Sequence, residues 1–294
     1  MCRCRCCAIL PSTLVLQRQR PEAVKPPQTL EENMSDYDRN AGARWGQSVA
    51  RAGRAEIDQG LRTYMMGVYN NMVVGLALTG LVALGVNMLA TTTDPSMAVA
   101  HMGRIGLTQF GVTLYGSPLK YVVMLAPLAF VFFFSFRINQ MSASAARTLF
   151  FVFAGTMGLS LSSLLLVYTG TSVARAFFIT SAAFGGLSLY GYTTKRDLSP
   201  IGSFLVMGLI GLVLASVVNL FVQSSGFQFG LSILSVLIFS GLTAWDTQAI
   251  KEMYYAGDGF EVATKKSVNG ALMLYLDFIN IFTALLNLTG SRND

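Results

Sequence analysis

SVNGALMLYLDFINIFTALLNLT, residues 267–289, is long and apolar enough to cross a bilayer, yet it carries an aspartate at position 277. The apolar stretch before it, residues 229–250, closes with GLTAWDTQAI (Gly241–Ile250) and carries Asp246. A carboxylate at membrane depth needs a partner, water or a proton, which makes each aspartate a candidate functional residue. Two of them on consecutive spans point to a shared site.

Composition agrees with a membrane setting. Hydrophobic residues make up 53% of the 294, and Asp, Glu, Lys and Arg only 12%, about half the charged share usual in soluble domains. Too little polar surface remains to solvate a globule. The reading is an all-α integral membrane protein with seven spans, expected at residues 65–90, 119–136, 148–168, 174–194, 201–222, 229–250 and 268–289. Residues 91–118 are expected to form a long outer loop.

The net charge of +6 does not point to nucleic acid, because the basic residues cluster in tails and short loops, where topology accounts for them. With the N-terminus inside, inner segments hold 17 of the 21 Lys and Arg, or 12 against 4 once residues 1–33 are set aside. The positive-inside rule then places the N-terminus in the cytosol and, after seven spans, the C-terminus outside.

Two regions are expected: a cytosolic, largely disordered tail over 1–63 and a membrane domain over 64–290. All four cysteines, Cys2, Cys4, Cys6 and Cys7, fall at the start of the tail, so disulfides take no part in the membrane domain. The cluster suits palmitate or a metal, although no His completes a zinc site. The apolar run from 8 to 16 is short and cut by Pro11, unlike a cleaved signal peptide. The simplest reading has the native start at Met34, with residues 1–33 upstream sequence. A short surface helix is expected at 55–64.

Residues 147–161 and 175–189 echo one another, matching at the Arg, a Phe, an Ala, a Gly and a closing LSL. Low-complexity apolar sequence produces such matches easily, and nothing is built on it.

At helical spacing Gly270, Met273, Asp277, Asn280, Ala284 and Asn287 share one stripe of the last span, with apolar residues around the remainder. A helix with one polar seam belongs inside a bundle. Ser232, Ser235, Thr243 and Asp246 offer a matching seam on the span before. If the carboxyl groups meet, two like charges in a low-dielectric site cannot both ionise cheaply, so the pair is expected to hold one proton and act as a pH-sensitive latch. Deprotonated, Asp246 and Asp277 offer hard oxygen ligands to Ca²⁺. Arg137, at the inner end of the second span, is the expected latch partner.

GLTAWDTQAIKEMYY followed by ALMLYLDFINIF, with LAPLAFVFFFSFRINQMS in the second span, resembles the transmembrane Bax inhibitor motif family in its bacterial form, over about residues 60–290. The resemblance implies a seven-helix bundle with the last helix central, in a bacterial inner membrane. It implies a pH-dependent Ca²⁺ leak with Asp246 and Asp277 as the paired-aspartate sensor and Arg137 as the arginine tied to it. A family acid three turns before that arginine has no counterpart, Ala126 standing near that place. The resemblance also carries an alternative: a non-catalytic regulator that restrains a membrane-bound AAA protease, with residues 35–62 as the contact.

Enzymatic readings fit poorly. An intramembrane aspartyl protease resembles its relatives in a Gly-x-Gly-Asp motif, and the nearest approach, Tyr255-Ala256-Gly257-Asp258, lacks the first glycine and falls in a charged loop. A rhomboid-like serine protease needs a His near its serine, and the single histidine, His101, falls in the outer loop. A retinal protein needs a lysine in the last helix, and none follows Lys266. No nucleotide-binding or metal-spaced motif is present. The expectation is a protein that is no enzyme, takes no cofactor, and has the bilayer, protons and Ca²⁺ as its partners.

Overall fold

The structure, a computed structural model, describes residues 30–294 apart from 93, 95, 97, 103, 104, 138, 139 and 294, and side chains from residue 58 on apart from 102 and 135. Expectations for residues 1–29, including the cysteine cluster, lie outside the described residues. The chain divides into two units at Arg54–Ala55. Of the first, residues 30–54 are helical; the second, Ala55–Asp294, is the membrane domain.

The tail expected to lack regular structure is helical from residue 30, because α1 (Leu30–Ala90) has no proline to stop it after Pro27 and is alanine-rich between 41 and 55. The loop expected over 91–118 is also more ordered than expected. β1 (Thr91–Thr92), β2 (Ala100–Met102) and β3 (Ile105–Leu107) form an antiparallel sheet in the order β1-β3-β2, with Thr91 opposite Leu107 and His101 opposite Gly106. Backbone groups beyond a helix end must pair somewhere, and here they pair with each other.

The second span begins earlier than expected. α2 (Gln109–Gly111) runs into a π-helical turn, Val112–Gly116, and then α3 (Leu119–Arg137), with a 64° bend between the two parts. Pro118 sits at the break, where it withholds an N–H and disfavours helix at Ser117. α4 (Ala143–Leu161) continues into α5 (Leu164–Val167); α6 (Gly170–Thr193), α7 (Ser199–Val222), α8 (Ser225–Glu252) and α9 (Phe260–Thr289) follow. Among the described residues six helices are long and apolar enough to cross a membrane, or seven when the bent pair is counted as one span.

α9 is the axis of the bundle. Of its apolar stretch 61% is buried, against 6% for α7, and α8, α6 and α4 pack on it. Tyr275 anchors its middle: the ring is fully buried edge-on to Phe150 and Phe153, and its hydroxyl meets Thr79 Oγ1 at 2.7 Å. Phe278 stands edge-on to Phe177 and Phe184 of α6. The C-terminal end is pinned as well. Tyr168 donates to Asn287 Oδ1 at 2.8 Å, and Thr169 N–H donates to the Ser291 carbonyl at 3.0 Å.

Candidate functional site

Asp246 is 8% exposed on α8 and Asp277 4% exposed on α9, and their carboxyl groups lie within hydrogen-bonding reach of each other. Sequence depth had Asp277 further from the inner boundary than Asp246. The helices resolve that offset, because α9 starts at Phe260, about two turns before the apolar stretch.

Two ionised carboxylates are acceptors only, so a hydrogen bond between them exists only in a form that carries a proton. Thr243, one turn before Asp246 on α8, lies beside Asp277 and donates its hydroxyl to the Phe239 carbonyl at 2.7 Å. Asp277 Oδ2 is buried with no hydrogen-bond partner among the described residues.

Nearly every residue around Asp246 holds α8 against a different neighbour. Ala244 meets Gly191 of α6 at backbone contact, and Trp245 lies over Gly202 of α7. Thr247 Oγ1 is 3.0 Å from Ser188 Oγ, which is itself 2.6 Å from the Tyr69 hydroxyl of α1. Gln248 Oε1 accepts from Leu198 N–H at 2.8 Å, and its Nε2 donates to the Arg196 carbonyl at 2.9 Å. Ile250 packs on Gly270 of α9. The pair is thus held by four helices at once. Gly191 is the tightest point, with no room for a Cβ beside the Ala244 backbone. Gly191→Ile is therefore expected to part α6 from α8 and to cost about 3 kcal/mol or more, read as a lowered melting temperature in detergent; an unchanged melting temperature would refute the close approach.

Other expected site residues are placed elsewhere. Arg137 ends α3 exposed, and makes no ion pair with either aspartate among the described residues. α3 packs on α4, and α4 on α9, which leaves Arg137 one helix removed. Asn280 Nδ2 donates to the Leu276 carbonyl of its own helix at 2.8 Å. With Gly270 under Ile250 and Asn287 bonded to Tyr168, the polar stripe serves separate contacts rather than one continuous seam. Ser232 and Ser235 donate to their own helix backbone. Ser188, Thr247, Gln248 and Tyr69 went unrecognised in the sequence, since no spacing relates positions 69, 188 and 247.

No cluster of three or more His, Cys, Asp or Glu side chains occurs among the described residues. Ca²⁺ takes six to eight oxygens, and the two carboxylates supply four.

Fold and site define a polytopic all-α membrane protein with two buried carboxyl groups facing each other on adjacent spans. The chain belongs to the Bax inhibitor-1-like family: the family described as inhibitor of apoptosis-promoting Bax1 matches residues 61–294. Its relatives include the protein RP147 of Rickettsia prowazekii, 46% identical over 237 residues, covering 81% of this chain and 93% of that one. A Caulobacter vibrioides protein is 41% identical over 264 residues, covering 89% of this chain and all of that one. The inner membrane protein YbhL of Escherichia coli is 41% identical over 235 residues, covering 79% and 93% respectively.

Proposed function

We propose that this chain is a pH-sensitive leak path for cations, Ca²⁺ foremost, with Asp246 and Asp277 as its gate. The observation that carries this reading is the hydrogen-bonding contact between two buried carboxyl groups on neighbouring spans. Such a pair stays together with one proton and is driven apart without it. Because α9 is central, releasing it from α8 moves the middle of the bundle, not its rim. The separated carboxylates are oxygen ligands of the hardness Ca²⁺ prefers, with water completing its shell.

The excess of Lys and Arg on inner segments orients the protein with its N-terminus cytosolic and its C-terminus outside, in a bacterial inner membrane. Arg137 enters only as a partner for a separated carboxylate, a contact absent from the arrangement described above. The chemistry is coupled protonation, without catalysis.

Purified protein in liposomes loaded with a Ca²⁺-sensitive dye tests this directly. Ca²⁺ flux above that of empty liposomes, varying several-fold with pH, is the expected result. Flux equal to empty liposomes at every pH overturns the leak and leaves the non-catalytic regulator, whose AAA protease partner would then be sought by co-purification.

A further inference from the structure

Between α1 and α6 runs a groove of about 1030 Å³, apolar along its walls and floored by Phe278 of α9. Small residues on membrane helices usually let two backbones meet. Gly80 of α1 and Gly185 of α6 do the reverse: both line the groove, and a Cβ placed on either meets nothing within 4 Å. Glycine weakens a helix relative to alanine, and here that weakening accompanies open space instead of a helix contact.

The groove has a polar end. Arg62 lines it just before the apolar stretch of α1 begins, exposed and in no ion pair among the described residues. From Arg62 the lining continues to Leu84, roughly 33 Å along a helix at 1.5 Å per residue, about the thickness of a bilayer's hydrocarbon core. A long apolar slot with one cation at headgroup level matches a molecule with an anionic head and long hydrocarbon tails.

We propose that this groove binds an anionic phospholipid in the leaflet beside Arg62, with its phosphate on Arg62 and its acyl chains running along the groove past Gly185. The floor connects the site to the core: Tyr69 and Ser188 line the groove, and Ser188 bonds Thr247, the residue after Asp246. A seated lipid therefore braces α6 against α8. The binding site stands whether or not the aspartate pair gates a leak.

Native mass spectrometry of the delipidated full-length protein, titrated with phosphatidylglycerol or phosphatidylcholine, tests the assignment. One phosphatidylglycerol is expected to bind about fivefold more tightly than phosphatidylcholine, the increment one Lys or Arg contributes at an anionic surface. Arg62→Gln is expected to erase that preference. Gly185→Phe fills the half of the groove next to Arg62 and is expected to abolish the single tight site while leaving the melting temperature in place. Gly211→Phe on α7, where a Cβ also meets nothing within 4 Å, adds the same bulk elsewhere and is expected to change nothing. Equal affinity for both lipids, or equal behaviour of the Gly185 and Gly211 variants, overturns the site and leaves ordinary annular lipid. A dimer that Gly185→Phe dissolves overturns it in favour of a second copy of the chain.

Discussion

Asp277→Asn is expected to abolish the pH dependence of the proposed Ca²⁺ leak. The amide matches the carboxyl in shape, and its Nδ2 donates to Asp246 at every pH, so α8 and α9 stay joined where the wild type loses its shared proton. On the proposed reading the joined pair shares one proton, whereas unfolded carboxyls titrate at about 4. Stability is then expected to fall as pH rises above about 4 and to level off once the native pair has shed that proton, by up to about 1.4 kcal/mol per pH unit between those limits. Melting curves in detergent from about pH 4 upward read this slope, and the variant's curve, with one carboxyl left to titrate, should be shallower. Ca²⁺ flux in liposomes should lose its pH dependence in parallel. Asp246→Asn should behave alike, because the pair titrates as one unit. A variant that keeps the wild-type pH profile in both measurements removes Asp277 from the sensor.

Tyr275→Ala is expected to be the most destabilising single substitution in the core. The side chain is fully buried at the middle of the central helix, between the edges of Phe150 and Phe153. Its hydroxyl is the donor to Thr79, because the Thr79 hydrogen is taken by the Gly75 and Ala154 carbonyls, each at 2.9 Å. Truncation to Ala removes the ring from three neighbouring groups and leaves a cavity that rigid helices cannot collapse into, at a cost of about 3–5 kcal/mol. Tyr275→Phe keeps the ring and loses one hydrogen bond, for about 1 kcal/mol. The gap between these two variants, read from chemical unfolding in the same detergent, measures how much the aromatic packing holds α9. Equal losses would assign the whole effect to the hydroxyl.

Much of the fold was legible before any coordinates because hydropathy is a local property. Each span declares itself in about 20 residues, and a carboxylate in such a run stands out against its neighbours. The start of α9 was less legible: residues 260–267 carry Glu261, Lys265 and Lys266, which conceal from a hydropathy reading the turns that align Asp277 with Asp246. The bend before α3 was marked only by Pro118, and the small sheet by pairings between segments of two or three residues, too short to show a period.

Within the site, Asp246 and Asp277 were visible as anomalies, and Thr243 as a neighbour one turn away on the same face. The second layer was not. Ser188, Thr247 and Tyr69 meet because three helices separated by 119 and 59 positions happen to be adjacent, and helical spacing tells which residues share a face but not which helix covers it. For the same reason Arg137 looked able to reach the pair.

By itself, the sequence determined the membrane class, the spans and the two carboxyl groups, since burial of backbone in lipid and the cost of charge there constrain each segment separately. Only the tertiary structure decided that Asp246 faces Asp277, that Arg137 stands apart, and that Gly80 and Gly185 border open space. Those are relations between helices, set by which surfaces interlock when all the spans pack at once.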